Sequence, residues 1–352
     1  MRYPFPSLLL ALALVLATPF SAQAAPRQSF KLAWSIYAGW MPWPYADESG
    51  ILKKWADKYG IQIKLVQIND YAESINQYTA GGFDGVVLTN MDALTIPAAG
   101  GVDTTALIVG DYSNGNDAVI LKKPATRIED LKGKKVNLVQ LSVSHYLLAR
   151  ALDSVKLKET DVAVVNTSDA DIVAAFGTAD VNAVVTWNPQ VSEILQQPEA
   201  QKVFDSAQVP GEIIDLAVVR TETLAENPAL GKALAGAWYE VMSVMSKSDA
   251  RGAAARAIMA KDSGTDLAGY DKQLATTHMY YTPTEAASFA ASPALVKTMD
   301  LVRHFSFDHG LLGDGAPNPD VVGIAFPDGE ILGNPKNVKL RFTTQYMVEA
   351  TN

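Results

Sequence analysis

The sequence predicts an α/β protein of two lobes, each built on a mainly parallel sheet with flanking helices, with a ligand cleft between the lobes. Short β-branched runs alternate with helical patterns from Phe30 onward, which is typical of parallel sheets with crossover helices. The 352 residues are about two average domains. The chain has two places to cross between sheets, near 111–117 and 209–215. We therefore expect lobe 1 to comprise 25–113 and 211–352, and lobe 2 to comprise 114–210.

The predicted elements follow one rhythm up to Arg220 and another beyond it. Strands are predicted at 30–34, 61–68, 85–90, 104–111, 118–121, 135–139, 162–166, 181–187, 202–204 and 213–219. The helices between them are predicted at 46–59, 71–80, 144–155, 171–176 and 189–196. Alanine-rich helices then follow at 228–246, 253–260, 270–279 and 293–304, and the tail from Pro317 is expected to wrap the surface. Ligands of such sheets sit beyond the carboxyl ends of the strands.

Composition excludes several classes of protein. The chain is 48% hydrophobic and 19% charged, as in ordinary globular proteins, and it contains no cysteine. Disulfides, thiolate metal sites and a thiol nucleophile are therefore ruled out. The formal net charge of −9 argues against a general nucleic-acid binder.

The first 24 residues are organised like an export signal. Arg2 precedes an apolar run over 8–16, and Ala22-Gln23-Ala24 provides small residues at the spacing of a cleavage site. The apolar run is too short to span a bilayer, which needs about 20 residues. We expect cleavage after Ala24 and a soluble, periplasmic mature protein.

An aromatic segment follows the first predicted strand. Trp34, Tyr37, Trp40 and Trp43 recur at a spacing of three, which would also suit a helix packed in the core. Because prolines at 42 and 44 remove backbone donors, a regular helix is not expected here. A loop with so much aromatic surface favours the lining of a pocket.

The ends of the other strands supply polar candidates. Asn and Asp after a strand are also common turn or capping residues, and capping alone would explain a serine at a helix start. The candidate ligand-binding residues are Trp34, Tyr37, Trp40, Asn90, Asp111, Ser142, Ser144, His145, Trp187, Glu212 and Asp215.

Sequence motifs for catalysis are missing. The four histidines are not at metal-ligand spacing, and neither a P-loop, a nucleophile elbow nor a dinucleotide-binding glycine pattern occurs. The adjacent Ser144 and His145 leave open an exported hydrolase, since nucleophile and base meet in space rather than in sequence. We expect no catalytic residues, no metal and no cofactor.

Several segments together resemble a known family. They are 30–34 with the aromatic loop, 80–87, 128–136 with its Leu131-Lys132-Gly133-Lys134-Lys135-Val136 run, 142–150 and 183–189. This ordered set is similar to the nitrate/sulfonate/taurine-type solute-binding proteins over about residues 30 to 245. The resemblance implies a type II periplasmic-binding-protein fold and delivery of a small solute to the membrane subunits of an ABC importer. It also implies that the protein acts as a monomer.

Within that family the chain most resembles the branch found with urea carboxylase, which suggests guanidine as the ligand. An anion receptor would be expected to use Lys or Arg, but the segments at the strand ends contain neither; these segments are 34–45, 90–92, 111–117, 140–146, 187–189 and 211–215. They contain tryptophans and acids instead, the acids being Asp92, Asp111, Asp117, Glu212 and Asp215. Tryptophan faces attract a planar cation, and carboxylates accept its N–H groups in parallel pairs. The helix start at Ser142 and Ser144 points the other way, toward an anion. Guanidinium is therefore our first hypothesis, with urea, taurine or another sulfonate, and nitrate as alternatives.

Overall fold

The computed structural model describes residues 27–313 and 315–351. The predicted export signal and its cleavage site lie outside the described residues. The strands are β1 (Ser29–Trp34), β2 (Gln62–Gln67), β3 (Gly85–Thr89), β4 (Thr104–Ser113), β5 (Ala118–Lys122), β6 (Lys135–Leu138), β7 (Ala163–Asn166), β8 (Ala183–Thr186), β9 (Ala200–Asp205), β10 (Ile214–Arg220), β11 (Thr277–Met279), β12 (Gly323–Ala325), β13 (Ile331–Leu332) and β14 (Val338–Phe342).

The helices cover the faces of the sheets. They are α1 (Pro42–Glu48), α2 (Ile51–Lys58), α3 (Tyr71–Thr79), α4 (Asn90–Ala93), α5 (Val143–Ser154), α6 (Ile172–Phe176), α7 (Gln190–Ile194), α8 (Thr221–Glu226), α9 (Pro228–Met245), α10 (Ala250–Asp262), α11 (Leu267–Leu274), α12 (Pro283–Ala290), α13 (Pro293–Asp308) and α14 (Gln345–Glu349). The 18-residue α9 is buried over most of its length, and its Trp238 packs on Trp43 at 5.0 Å between ring centroids. Within the described ranges, none of these helices combines the length and apolarity needed to cross a membrane.

Two sheets confirm the predicted two-lobe α/β fold. The larger sheet has the order β13-β12-β14-β4-β10-β3-β1-β2, with β11 beside β4, and the smaller has the order β7-β6-β8-β5-β9. The chain leaves the larger sheet after Ser113, enters the smaller at Ala118, and returns between Asp205 and Ile214. We keep 25–113 with 211–352, and 114–210, as our proposal for the limits of the lobes.

Both sheets are mixed, where mainly parallel sheets were expected. After the return crossover β10 runs antiparallel to β3 and β4, and in the smaller sheet β5 runs antiparallel to β8 and β9. The physical reason is that the strand that follows each crossover, β5 or β10, enters its sheet from the opposite end to its neighbours. This direction brings the start of β10 level with the ends of β3 and β4, so that Asp215 pairs with both Thr89 and Asp111 in register.

Four local expectations were wrong. The helix predicted at 270–279 ends at Leu274 and is followed by β11 (Thr277–Met279). The helix predicted at 46–59 is two helices, because Gly50 adopts a left-handed φ of 76° and ends the first. The prolines at 42 and 44 do not prevent a helix, since both lie in the first turn of α1, where a backbone N–H has no intrahelical partner. The tail does not merely wrap the surface, because β12, β13 and β14 extend the larger sheet.

Candidate functional site

A cavity lined by buried residues lies where the two sheets face each other. Its space between atoms is about 280 Å³, counting space open to solvent, and the centre of a water molecule can occupy about 20 Å³. Since one water needs about 10–15 Å³ on that measure, only a small ligand fits. Every residue of the lining is at most 5% exposed. The lining residues are Tyr37, Trp40, Tyr71, Thr89, Asp117, Val143, Trp187, Ile213 and Asp215.

Aromatic rings form most of the cavity wall. The Trp40 ring lies 5.1 Å from the Tyr37 ring and 5.6 Å from the Tyr71 ring, and Tyr71 meets Trp187 edge-on at 5.5 Å, measured between centroids. Asp70 helps to fix Tyr71 at the start of α3, because its carboxylate accepts the Glu73 N–H at 2.9 Å and caps the helix. The faces and edges of four rings therefore surround a small space.

Two carboxyl groups meet at one end of the cavity. Asp111 and Asp215 are paired across β4 and β10, and the Tyr37 hydroxyl donates to Asp111 Oδ1 at 2.9 Å. Burial raises the pKa of Asp111 to about 7, and burial together with the Asp111 charge raises the pKa of Asp215 well above its ordinary value. The pair therefore holds a proton at a pH where exposed aspartates have lost theirs.

A third acid lies in the lining. Asp117 precedes β5 in the smaller sheet, and burial, with a contribution from the Asp111 charge, raises its pKa to about 7. No Lys or Arg belongs to the lining, and within 27–313 and 315–351 none forms an ion pair with Asp111, Asp117 or Asp215. The same ranges contain no group of three or more His, Asp or Glu arranged to hold a metal ion. The cavity thus presents uncompensated acids behind aromatic walls.

The start of α5 faces an acid of the protein itself. Asp92 is fully buried, and its Oδ2 accepts the Tyr71 hydroxyl at 2.6 Å and the Thr89 hydroxyl at 2.9 Å. Burial raises its pKa to about 6, against the effect of these hydroxyls and of the Val143 N–H in the first turn of α5. The anion-attracting end of α5 is therefore already next to a carboxylate.

Three hydrogen bonds join the two sides around the cavity. The Ala38 N–H donates to the Asn188 carbonyl at 3.2 Å, and Trp187 Nε1 donates to the Ile36 carbonyl at 3.3 Å. The Tyr71 N–H donates to Asp169 Oδ1 at 3.1 Å. In each bond one partner follows a strand of the larger sheet and the other follows a strand of the smaller sheet. The structure therefore has the closed arrangement of the lobes.

The cavity brings together some of the predicted site residues. Tyr37, Trp40, Trp187 and Asp215 line it, and Asp111 lies directly behind, bonded to Tyr37. Gly39, between the first two, has no room for a side chain, because a Cβ there would clash with the Tyr37 ring and the Asp111 carboxylate. These residues remain our proposed ligand contacts.

Three other predicted residues have structural partners outside the lining. Trp34 is buried at the end of β1. Asn90 holds the return crossover, since its Oδ1 accepts the Ile214 N–H at 3.0 Å and its Nδ2 donates to the Glu212 carbonyl at 3.1 Å. The Glu212 carboxylate takes two N–H groups of Arg150, at 2.9 and 3.1 Å, and the Tyr146 hydroxyl. Glu212 is thus neutralised within the protein.

The serines and the histidine of the α5 start also lie outside the lining. Ser142 caps the helix by accepting the Ser144 N–H at 3.2 Å, which is the capping alternative considered above. Ser144 is buried, and its Oγ finds no hydrogen-bond partner in the described ranges. The His145 ring bonds to the Leu141 N–H and to Glu159. The geometry does not pair Ser144 with His145 as nucleophile and base.

Five lining residues escaped the sequence-based choice of candidates: Tyr71, Thr89, Asp117, Val143 and Ile213. Tyr71 lies after the end of β2, so its position beyond a strand end is the sequence signal that points to it. Asp117 belongs to the candidate segment 111–117 and to the acids noted there, but it was not chosen as a ligand contact. Its position depends on the antiparallel direction of β5, which the sequence pattern does not show.

His145 belongs to a contact between the lobes. Glu159 Oε1 lies 2.5 Å from Nε2 of His145, and its Oε2 lies 2.6 Å from Nε2 of His309. Nδ1 of His309 faces the Phe305 carbonyl at 2.8 Å. Both groups that face the His309 ring are acceptors, which favours a proton on each of its nitrogens, and the contact with Glu159 raises the pKa of the ring against the effect of burial. His309 ends α13, beside the larger sheet, whereas Glu159 lies in the segment that forms the smaller sheet.

Replacing His309 by Gln is expected to lower stability in a pH-dependent way. Burial opposes both charges, but hydrogen bonds within the contact lower the pKa of Glu159 to about 2 and raise the pKa of His309. The His309 contribution is present below its unfolded pKa and is lost as pH rises through the raised value, while the Glu159 contribution is lost below about pH 4. We expect His309→Gln to cost about 1 kcal/mol at pH 6, or about 2–4 °C in Tm, and little at pH 8.5.

Thermal melts at both pH values measure this difference. His304→Gln is the matched control, since His304 lies on the same helix but is exposed and bonds only within it. Equal destabilisation by His309→Gln at pH 6 and pH 8.5 would show that the ring is not charged in the contact.

The whole structure is similar to solved receptors. The alkanesulfonate-binding protein of Xanthomonas axonopodis pv. citri, bound to MOPS, superposes with a TM-score of 0.68 at 16% identity, over 83% of this chain and 96% of that one. The nitrate-binding protein of Synechocystis PCC 6803 gives 0.59 at 13% identity, over 92% and 99% of the two chains. The fold is that of the periplasmic binding proteins.

Sequence comparison identifies the family. The taurine-binding periplasmic protein of Escherichia coli (strain K12) is 27% identical over 169 residues, which are 47% of this chain and 52% of that protein. The chain thus spans about half the length of the curated relatives it matches. The family model described as NMT1/THI5 like matches residues 51–248. The chain belongs to the NMT1/THI5-like family.

Proposed function

We propose that the protein is an exported, periplasmic solute-binding protein of an ABC importer, and that it captures a small planar cation, most specifically guanidinium, between its lobes. The fold and the family support the receptor role. The observation that carries the choice of ligand is the cavity itself, with Asp117 and Asp215 in an aromatic lining that contains no Lys or Arg.

The chemistry of the lining suits a flat, weakly hydrated cation. A cation near the face of a Trp or Tyr ring gains about 0.5–2 kcal/mol per ring once it is desolvated. Carboxylates can accept the N–H groups of guanidinium in parallel pairs, which is the stronger, charge-assisted geometry. Asp117 and Asp215 are ready acceptors, because neither carboxylate is neutralised by a basic side chain within the described residues. The small space of the cavity favours an ion of this size over a longer solute.

The names of the relatives favour a second candidate, an anion receptor. Taurine, alkanesulfonates and nitrate all carry a negatively charged group. The helix start at Val143 would suit such a group, but Asp92 already lies there and would repel a second anion. Asp117 and Asp215 would add to that repulsion whenever they are ionised, although burial raises the pKa of both. An anion receptor on this cavity therefore needs several protonated acids.

An enzymatic function has weaker support. Ser144 and His145 were the pair on which a hydrolase would depend, and each has another environment. We propose that the ligand leaves unchanged and passes to membrane subunits of a transporter. A monomer suffices for that task, and we propose no role with nucleic acids.

Isothermal titration of the mature protein, residues 25–352, tests the ligand. Guanidinium, urea, taurine and nitrate are titrated in one buffer at sub-millimolar concentration. Saturable one-site heat with guanidinium alone is the expected result, and mass spectrometry of the recovered ligand should show it unaltered. Heat with taurine or nitrate alone would reject the cation assignment while leaving the receptor fold in place.

A further inference from the structure

A second, larger cavity lies next to the ligand cavity. We call it the outer cavity; the centre of a water molecule can occupy about 330 Å³ of it. It lies between α3, the segment Leu94–Ala98, the loop before α5 and the loop after α13. Its rim reaches solvent at Leu141, which is 47% exposed. Most of its lining is apolar, with Ile75, Ile96, Val139 and Leu311 among the contributors.

A single side chain, Tyr71, lines both cavities. On the inner side its ring meets the rings of Trp40 and Trp187. Its hydroxyl donates to Asp92, which lines the outer cavity, and accepts the Thr89 N–H at 3.0 Å, which belongs to the inner lining. The ring and this hydrogen-bond network therefore lie between residues of the two linings, and we call them the wall between the cavities.

Several contacts fix the position of the Tyr71 side chain in this wall. The Tyr71 ring is fully buried among other rings, its hydroxyl has two partners, and its backbone N–H is held by Asp169. A ligand with an alkyl tail would have to displace the ring and leave the buried Asp92 without the Tyr71 hydroxyl. Leaving a buried acceptor without its donor is costly, so the native wall discriminates against such a ligand.

We propose that Tyr71 is the specificity-determining residue that restricts the receptor to unsubstituted or minimally substituted guanidinium. This inference rests on the proposed function. Removing the Tyr71 ring joins the two cavities and gives the tail of an N-alkylguanidinium an apolar space, while its head group keeps the acids of the inner cavity. One side chain then sets the class of ligand, because in the native protein the Tyr71 ring keeps a bound ligand out of the outer cavity.

Calorimetric titration with guanidinium and with N-butylguanidinium tests the proposal. The wild-type protein should prefer guanidinium by about 100-fold. Tyr71→Ala and Tyr71→Leu should each reduce that preference to about tenfold or less. Tyr71→Phe is the matched control, because it removes the hydroxyl and keeps the ring. Its preference for guanidinium over N-butylguanidinium should therefore be closer to that of the wild-type protein than to that of Tyr71→Ala.

The ratio of the two affinities is the decisive readout. If Tyr71 had only a structural role, its replacement would weaken the binding of both ligands alike and leave the ratio of their affinities unchanged. Tyr71→Leu is included in case Tyr71→Ala does not fold. An unchanged ratio in the variants that fold, or equal binding of both ligands by the wild-type protein, overturns the inference and leaves the proposed function standing. Failure of the wild-type protein to bind guanidinium rejects the proposed function and this inference with it.

Discussion

Asp215→Asn is expected to weaken the binding of guanidinium by about 100-fold, since removing one partner of a desolvated charge pair costs about 2–5 kcal/mol. Asp215 lines the cavity, whereas Asp111 lies behind it and already accepts the Tyr37 hydroxyl. In the variant the negative charge of the pair is confined to Asp111, farther from the ligand. The amide also turns an N–H donor toward a ligand that offers only donors. Titration of the wild-type and variant proteins measures the loss.

Glu212→Gln is the matched control for this experiment. It removes an acid of the same crossover, but Glu212 is held by Arg150 and Tyr146 outside the lining. Since Glu212 contacts Arg150 and Tyr146 of the other lobe and not the ligand, we expect the affinity of Glu212→Gln for guanidinium to fall far less than that of Asp215→Asn. If Glu212→Gln lost affinity and Asp215→Asn kept it, the acid that contacts the ligand would be the other one.

The affinity for guanidinium is expected to rise with pH between about 5.5 and 8.5. The pKa values of Asp111 and Asp117 are about 7, and that of Asp215 is higher. Guanidinium stays protonated throughout, so binding favours the ionised acids and releases protons. The affinity should therefore increase by up to about tenfold per pH unit for each proton released. Titrations in buffers with different ionisation enthalpies count those protons.

For urea we expect the affinity to change with pH in the opposite direction. Its carbonyl oxygen accepts from a protonated carboxyl group, so its binding would weaken as pH rises. The free protein has the same linkage: acids with raised pKa values hold protons in the folded state, and their contribution to stability is lost as pH rises from about 4 through about 7. The increase in Tm caused by guanidinium should therefore be larger at pH 8 than at pH 6. An affinity that is flat across this range would show that the acids do not change protonation on binding.

More of the fold than of the candidate site could be predicted from the sequence. The alternation of apolar runs and helical patterns sufficed for two α/β lobes, because burial of a sheet leaves a strong periodic signal. Strand direction leaves none, and it is the antiparallel return of β10 that sets Asp215 opposite Asp111. The partner that neutralises Glu212 lies 62 residues away, at Arg150, so sequence reasoning could not separate Glu212 from Asp215. The aromatic residues that follow β1 could be predicted as lining residues because a single segment supplies them. Tyr71 begins α3, after β2, and was not predicted.

The three hydrogen bonds that join the lobes around the cavity also bear on how long a ligand stays. Ala38, Trp187 and Tyr71 each make one of them, and two of these residues also line the cavity. Because those bonds hold the lobes together around the cavity, we expect the residence time of a bound ion to depend on the opening of the lobes as well as on its own contacts. Ligands of different affinity would then differ in how often they are captured by closure, and all of them would wait for the same opening motion before leaving.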